Sequence, residues 1–283
     1  MAARTSGLNR IIRARAKTWL GWDAGSQSRP APSGVRHWLS DAVMHNTLDM
    51  ALRYHPIVTY LRPRLETGTR VLEVGSGSAG ITPYLQHRVF GVDHNFDGPP
   101  SSRLVRCTGD VLKLPFPDRA VDFTLCVDTL EHIPPGKRAT AIKELLRVTR
   151  HAAVIAVPCG PLAAQHDRDL SVALRRRLAK RDRFVDEHLE HGLPTIDNLR
   201  RWTDEAAVEL GRPFHTKNHD NVHLRIWWLV QMAKISLVWR ALLILSFPVL
   251  FPLFRSFNGP PSYRQIVFVE AWPVPRAGVR TSL

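Results

Sequence analysis

Five residues have the types and spacing that could bind a nucleoside: Glu73, Gly75, Gly77, Gly80 and Asp93. The glycines allow a tight turn in which the backbone comes close to a ligand. The Asp93 carboxylate could accept both hydrogen bonds from a ribose diol. The glycine spacing alone also fits a dinucleotide, but Glu73 would repel a pyrophosphate and suits a cationic amino-acid group. The pattern therefore favours a nucleoside with a cationic tail.

The elements that must position these residues alternate between strands and helices. Val71–Val74 is a short apolar run typical of a buried strand, whereas 81–87 has helical spacing. Residues 35–66 predict two helices broken near Pro56. Further strands are predicted at Val89–Asp93, 104–107, Val121–Val127 and 152–157, with a helix at 134–148. This α/β alternation predicts a parallel sheet covered by helices on both faces.

Motifs in the same segment resemble one family. The sequence has Gly-Asp at 109–110, Leu-Pro-Phe-Pro-Asp at 114–118, Val-Asp-Phe at 121–123 and Leu-Glu-His-Ile at 130–133. Together with Glu-x-Gly-x-Gly, these resemble the class I S-adenosylmethionine-dependent methyltransferases of type 11, the ubiquinone/menaquinone-like family, over about residues 70–160. Ala79 departs from the family's third glycine. The resemblance implies a Rossmann-like seven-stranded sheet of order 3-2-1-4-5-7-6 and S-adenosyl-L-methionine as cofactor.

The resemblance also implies which residues hold that cofactor. Glu73 and Gly75 would lie near its methionine part, Asp93 on the ribose hydroxyls, and Asp110 on the adenine amino group. The full set is Glu73, Gly75, Ser76, Gly77, Asp93, His94, Asp110, Val111, Val127 and Asp128. Either Asp93 or Asp110 alone would read as a turn or helix-cap aspartate. Their ordered occurrence favours the cofactor role.

Histidines near this pocket are candidates for a general base. His132 follows the fourth strand, although a packing role for it is also open, and His188 and His191 lie in a lid insertion at 158–200. Glu187, His188 and His191 could in principle bind a metal. A polar lid without a metal is the favoured interpretation.

The rest of the chain is predicted to complete the sheet around an apolar insertion. Thr195 caps a helix at 196–210, strand six lies at 213–217, and the last strand lies at 262–272. Residues 226–254 between these strands are almost wholly apolar. Because strands six and seven share one sheet, this segment must return on the side it left. A hydrophobic helical hairpin in or against a membrane interface meets that requirement, and a single span does not.

Charge and domain organisation suggest partners. The formal net charge is +14, with basic clusters at 1–40 and 175–183, which suits an anionic membrane or nucleic acid. We predict a basic arm at 1–34, a methyltransferase domain at 35–220 and 258–275, and a hydrophobic insertion at 221–257. The three cysteines lack pairing or metal spacing, as expected in a reducing cytoplasm.

Function follows from the cofactor and the insertion together. The sequence predicts O-methylation of a small or amphiphilic acceptor, such as a lipid, a quinone-like ring or a lipid-linked glycan. The enzyme would be cytoplasmic, in possible contact with an anionic membrane. The alternative is an RNA methyltransferase that places its arginines on phosphates.

Overall fold

A computed structural model describes residues 48–96, 101–179 and 181–272. The predicted basic arm at 1–34, the first part of the helical segment expected at 35–66 and Lys180 of the basic cluster lie outside these residues. Within them, seven strands form one sheet of order β3-β2-β1-β4-β5-β7-β6. They are β1 (Val71–Val74), β2 (Val89–Asp93), β3 (Leu104–Thr108), β4 (Val121–Val127), β5 (Thr149–Pro158), β6 (Phe214–His223) and β7 (Ser262–Ala271).

The direction of the strands follows the predicted fold. β1 to β5 are parallel, whereas β7 runs antiparallel between β5 and β6. The predicted fold class and strand order are confirmed. β6 is longer than the predicted 213–217, because its pairing with β7 continues to His223.

Eight helices accompany these strands in the described part of the chain. They are α1 (Leu48–Leu61), α2 (Arg138–Val148), α3 (Gly160–Leu178), α4 (Arg183–His191), α5 (Ile196–Glu209), α6 (Leu224–Ile235), α7 (Leu237–Leu245) and α8 (Phe247–Phe254). The predicted break near Pro56 is wrong, since α1 continues through this proline. Buried Tyr54, Ile57 and Leu61 pack α1 onto the sheet, which offsets the lost backbone hydrogen bond.

The two faces of the sheet carry separate hydrophobic cores. On one face, Ile142 and Leu145 of α2 and Leu199 of α5 pack against strand residues such as Leu72. On the other face, α1 packs against residues such as Val71. Neighbouring strand residues point to opposite faces, so a strand buried on both sides needs the continuous apolar runs seen in the sequence.

The segment after β1 differs from the prediction. Residues 81–87 form a series of turns instead of the expected helix. Tyr84 donates its backbone N–H to the Ile81 carbonyl three residues back, and Pro83 has no N–H to donate. The Ile81 N–H is itself bound by the Glu73 carboxylate. A segment of only seven residues can form few i to i−4 hydrogen bonds, which is too little to stabilise a helix.

The apolar insertion between β6 and β7 is helical, as predicted, but it is not a two-armed hairpin. It consists of α6, α7 and α8. The helical conformation is interrupted at Ser236 and at Ser246, which separates the three helices. Pro248 lies in the first turn of α8. Among the described helices, we find none with the length and hydrophobicity needed to span a membrane. The insertion packs against α3 and the start of α1 through residues such as Trp227 and Val230.

Candidate functional site

The turn after β1 is built from glycines in the left-handed region of the backbone map. The φ angles are +75° at Gly75, +53° at Gly77 and +52° at Gly80. A Cβ at Gly80 would lie 2.0 Å from Glu73 Oε2, and one at Gly75 would lie 2.0 Å from Thr129 Oγ1. A Cβ at Gly77 would meet no atom within 4 Å. The turn therefore packs tightly on the protein at two glycines and leaves open space at the third.

Glu73 holds this turn from beneath. Its carboxylate is fully buried and accepts hydrogen bonds from the Tyr54 hydroxyl, at 2.8 Å, and from the Ile81 N–H, at 2.7 Å. Burial raises the pKa of Glu73 to about 7, against the opposing effect of these hydrogen bonds and of Arg53. Glu73 thus shapes the turn, and its predicted contact with the methionine part of a cofactor remains a prediction.

Two further carboxylates lie at the carboxyl ends of neighbouring strands. Asp93 ends β2 and accepts the Gly77 N–H at 2.8 Å. Asp110 follows β3, is exposed, and accepts the Leu112 N–H at 2.9 Å. Since β2 and β3 are adjacent and parallel, both carboxylates lie at the edge of the sheet where this class of fold binds ligands. This edge and the open space at Gly77 fit a nucleoside with hydroxyl and amino groups.

The other predicted cofactor residues occupy varied positions. Ser76 is buried in the turn, and His94 is exposed beyond β2. The side chains of Val111 and Val127 lie in the hydrophobic cores, and the Val127 carbonyl accepts a hydrogen bond from the Thr129 hydroxyl. These placements leave the predicted roles untested.

Asp128 follows β4 in a left-handed conformation, with φ +46°. Its carboxylate pairs with Arg264 of β7, through two hydrogen bonds of 2.5 Å, and with Arg53 of α1, at 3.1 Å. Burial alone would raise the pKa of Asp128, but the two arginines outweigh it and hold the pKa below its usual value. Asp128 thus joins three elements at the rim of the site.

A cluster of histidines and carboxylates lies beside Asp128. We call it the histidine–carboxylate cluster, and its members are Glu131, His132, Asp167, Glu187 and His188. His132 Nδ1 lies 2.8 Å from Glu187 Oε2, and His188 Nδ1 lies 2.9 Å from Asp167 Oδ2. The two imidazole rings are 4.9 Å apart. The cluster therefore joins the turn after β4 to the lid helices α3 and α4.

Burial and charge perturb this cluster. Burial, assisted by the charge of Asp128, raises the pKa of Glu131 to about 8. Burial and the neighbouring His188 lower the pKa of His132. Burial would lower the pKa of His188 too, but the hydrogen bond to Asp167 and the charge of Glu131 outweigh it, so this pKa is raised. Clustered, perturbed groups are typical of functional sites.

The structure brings together two of the three predicted histidines. His132 and His188 share the cluster, whereas the His191 backbone carbonyl accepts a hydrogen bond from Arg138, at 3.3 Å. Sequence reasoning did not single out Glu131 or Asp167. Glu131 lies inside the Leu-Glu-His-Ile motif, which was a usable signal. Asp167 lies on an amphipathic helix without any motif.

The fold and the site together define a class. A seven-stranded sheet with an antiparallel β7, a glycine turn after β1 and acids at the ends of β2 and β3 is the arrangement of class I S-adenosylmethionine-dependent methyltransferases. Residues 72–157 match the type 11 family, described as a methyltransferase domain. The match covers the part of the chain that carries the glycine turn and the strand-end acids, and the protein is a methyltransferase that uses S-adenosyl-L-methionine.

Solved structures of similar fold include three methyltransferases. One, from Haloferax volcanii in complex with the Trm112 methyltransferase activator, is 16% identical with a TM-score of 0.48, over 84% of this chain and 97% of that one. A second, from Archaeoglobus fulgidus, is 13% identical with a TM-score of 0.49, over 83% and 99% of the two chains. A third, from Thermotoga maritima and described as a possible histamine N-methyltransferase, is 12% identical with a TM-score of 0.47, over 83% and 95%. No curated protein sequence matches the chain significantly.

Proposed function

We propose that this enzyme transfers a methyl group to an oxygen of an amphiphilic acceptor, a lipid, quinone-like ring or lipid-linked glycan, at the cytoplasmic face of an anionic membrane. The observation that carries the proposal is the exposed apolar surface of α7 and α8. Trp239 is 62% exposed, Leu245 76% and Val249 70%. Side chains of this kind, concentrated on one insertion, mark a surface that contacts lipid or a lipid-like ligand.

The insertion is joined to the site by packed side chains. Trp227 of α6 stacks on Tyr263, with ring centroids 3.9 Å apart. The Tyr263 hydroxyl donates to Asp167, which contacts His188. On the other side, Phe251 of α8 contacts His55 of α1, the helix that carries Tyr54 and Arg53. An acceptor bound along the insertion would therefore reach the histidine–carboxylate cluster with its polar end.

For methyl transfer, the protein mainly has to align the acceptor with the methyl group and to accept the proton of the acceptor hydroxyl. S-adenosyl-L-methionine supplies a methyl group on a positively charged sulfur. Transfer to an acceptor oxygen would form a C–O bond and break the methyl–sulfur bond, and the electron pair would stay on sulfur. The glycine turn and strand-end acids would hold the cofactor, and the lid helices would exclude water. The hydroxyl proton would leave at the histidine–carboxylate cluster.

An RNA acceptor is the second candidate, favoured by the exposed arginines at the end of α3. Arg176 and Arg177 are exposed there. Arg175 and Arg181, however, both pair with Asp186, at 3.2 and 2.9 Å. These pairs reduce the positive charge that the cluster offers to phosphates.

The test is a labelling experiment in cells with and without the gene. Cells fed methyl-labelled methionine are extracted for lipids and, separately, for RNA. We expect a labelled lipid or lipid-linked glycan that disappears in the deletion strain and returns with the wild-type gene. An Asp93→Ala variant, which lacks the carboxylate at the end of β2, is expected not to restore the label.

The opposite result would be equally informative. Loss of label from RNA with an unchanged lipid fraction would overturn the amphiphile proposal in favour of the RNA alternative. If the lipid label is lost instead, purified protein incubated with the extracted lipid and labelled cofactor would separate a direct from an indirect effect.

A further inference from the structure

We infer that Glu131, His132 and His188 bind a divalent transition-metal ion of the zinc type, with a coordination position left open. Metal binding itself is independent of the acceptor, whereas its role in methyl transfer rests on the function proposed above. Three donor atoms, one from each residue, lie within 4.8 Å of one another. His132 Nε2 is 4.0 Å and His188 Nε2 is 3.8 Å from Glu131 Oε1.

These distances suit a metal centre that closes slightly on binding. A tetrahedral zinc ion with bonds of about 2.0–2.1 Å holds its ligand atoms about 3.3 Å apart. The histidine nitrogens therefore need to approach Glu131 by about half an ångström. Rotation of the side chains can supply that movement without any change in the backbone.

A carboxylate lies beside the Nδ1 atom of each imidazole, and His188 Nδ1 forms a hydrogen bond with Asp167. Asp167 lies against Nδ1 of His188, and Glu187 lies against Nδ1 of His132, at 2.9 and 2.8 Å. A proton held at Nδ1 leaves the Nε2 lone pair directed at Glu131. The Tyr263 hydroxyl in turn donates to Asp167 at 2.8 Å. Carboxylates behind histidines, themselves hydrogen-bonded, are the usual outer ligand sphere of protein metal sites.

Glu131 provides the second, independent observation. Its side chain is 0% exposed, and both carboxylate oxygens lack a hydrogen-bond partner, as does His188 Nε2. A buried carboxylate without partners costs several kcal/mol. A cation between Glu131 and the two Nε2 atoms would supply the missing partner of the Glu131 carboxylate and of His188 Nε2.

The donor set selects the class of ion. Two imidazoles and one carboxylate suit zinc and neighbouring first-row ions, whereas magnesium and calcium prefer oxygen ligands. Three protein ligands leave at least one position open, as in catalytic zinc sites. Since His132 is the most exposed of the three ligands, the open position would lie on the His132 side of the cluster. A hydroxyl placed there would lose its proton more readily.

This set differs from the one considered in the sequence. There, Glu187, His188 and His191 were the conceivable ligands, and no metal was predicted. In the structure, the Glu187 carboxylate lies beside the Nδ1 atom of His132. The His191 backbone carbonyl accepts a hydrogen bond from Arg138. Glu131 and His132 therefore replace Glu187 and His191 as the candidate ligands beside His188. This set favours a metal site over a polar lid without a metal.

The test is titration of the tag-free full-length protein, stripped with chelator, with Zn²⁺ and Mg²⁺ by calorimetry and with Co²⁺ by visible absorption. We expect one zinc site and a tetrahedral cobalt spectrum, with no comparable Mg²⁺ binding.

His132→Ala should abolish the cobalt spectrum. Glu187→Gln should weaken zinc binding by roughly 10–100-fold, because it removes an outer carboxylate. His215→Ala, at an exposed histidine on β6, is the matched control and should bind normally.

Two results would overturn the inference: no zinc binding by the wild-type protein, or equal binding by His132→Ala and His215→Ala. Circular dichroism of each variant in chelator separates lost folding from lost binding. Absent metal binding with an intact lipid label in cells would reject the metal alone. Intact metal binding without any lipid label would reject the acceptor proposal alone.

Discussion

At the residue scale, Gly77 and Gly80 separate two roles of the same turn. Both have a left-handed φ, but Gly80 lies on the Glu73 carboxylate and Gly77 faces open space. A side chain at Gly80 must displace Glu73 from the Ile81 N–H. A side chain at Gly77 would instead enter the space that we assign to the cofactor. One glycine therefore serves the fold and the other the ligand.

This difference predicts opposite phenotypes for Gly80→Ala and Gly77→Ala. Both changes cost about 1–2 kcal/mol for the left-handed backbone. Gly80→Ala should lose about 1–3 kcal/mol more, because it breaks the buried hydrogen bond of Glu73. Gly77→Ala should weaken S-adenosyl-L-methionine binding by about tenfold or more, roughly 1.4 kcal/mol. Denaturant unfolding and calorimetry check both; equal stability losses would contradict the assignment.

Glu73 makes the stability of the protein depend on pH. Its pKa of about 7 in the fold exceeds its ordinary value of 4.5, so the folded state holds a proton that the unfolded chain releases. The stabilisation of the folded state by this proton is full below pH 4.5 and is lost as the pH rises to about 7. It amounts to up to about 3 kcal/mol, from about 1.4 kcal/mol per pH unit. Glu73→Gln should flatten the measured decline of unfolding free energy over this range, and an unchanged slope would refute the assignment.

Residue types alone could predict the first part of the site and not the second. Glu73, Gly77 and Asp93 lie in one continuous segment, where spacing translates directly into a turn between two strands. The histidine–carboxylate cluster joins His132 to residues of α3 and α4, far along the chain. Only the packing of the lid on the turn after β4 brings those side chains together. Residue spacing in the sequence therefore does not predict that packing.

At the element scale, α5 shows how local signals fix an element. Thr195 accepts the Asn198 N–H at 3.2 Å, and Asn198 accepts the Thr195 N–H at 3.0 Å. This reciprocal capping satisfies two backbone donors at the start of the helix. Leu199 and Trp202, on the next turn, reach the core below. The cap therefore sets where the buried face of α5 begins.

Removing this cap has a measurable cost. Thr195→Ala should lower the free energy of unfolding by about 1 kcal/mol, since it leaves a helix donor without its partner. Thr195→Ser keeps the hydroxyl and is the matched control, expected near wild type. Chemical denaturation of the three proteins tests this. A loss of the same size in both variants would mean that the methyl group, and not the hydrogen bond, is responsible.

The elements themselves were predictable where burial is continuous. β1, β2 and β4 lie at the predicted residues, because their apolar runs are bounded by glycines or acids. The helix expected at 81–87 is absent from that described segment, since seven residues form too few helical hydrogen bonds to offset the cost of helix nucleation. The division of the insertion into three helices could not be predicted either. An almost wholly apolar segment has no polar face whose pattern would show where one helix ends and the next begins.

At the scale of the whole molecule, charge and apolar exposure coincide at the insertion. Arg240 is an exposed basic residue on α7, and Arg255 directly follows α8, so both flank the exposed apolar side chains. Anionic lipid headgroups attract basic residues near a bilayer, and buried apolar side chains add affinity. The same face would bind a membrane by both effects.

Leu245→Ser should therefore weaken binding to vesicles that contain phosphatidylserine. A fully buried leucine contributes about 1.5–3 kcal/mol, so roughly a tenfold or greater loss is expected. Val208→Ser, at a valine that is 82% exposed on α5, is the matched control and should bind like wild type. Sedimentation with vesicles at low and high salt provides the measurement. Equal losses in the two variants would place the membrane contact elsewhere.

The position of β7 between β5 and β6 has a consequence for synthesis. Among the described strands, β6 pairs with β7 alone, and β7 also supplies Arg264 to Asp128 and Tyr263 to Asp167. A ribosome makes the cofactor turn early and this strand much later. Until β7 emerges, the growing polypeptide exposes the open edge of β5 together with an apolar insertion. The nascent chain thus passes through a stage in which it needs protection from self-association, and its rim of the site cannot be complete before β7 has emerged.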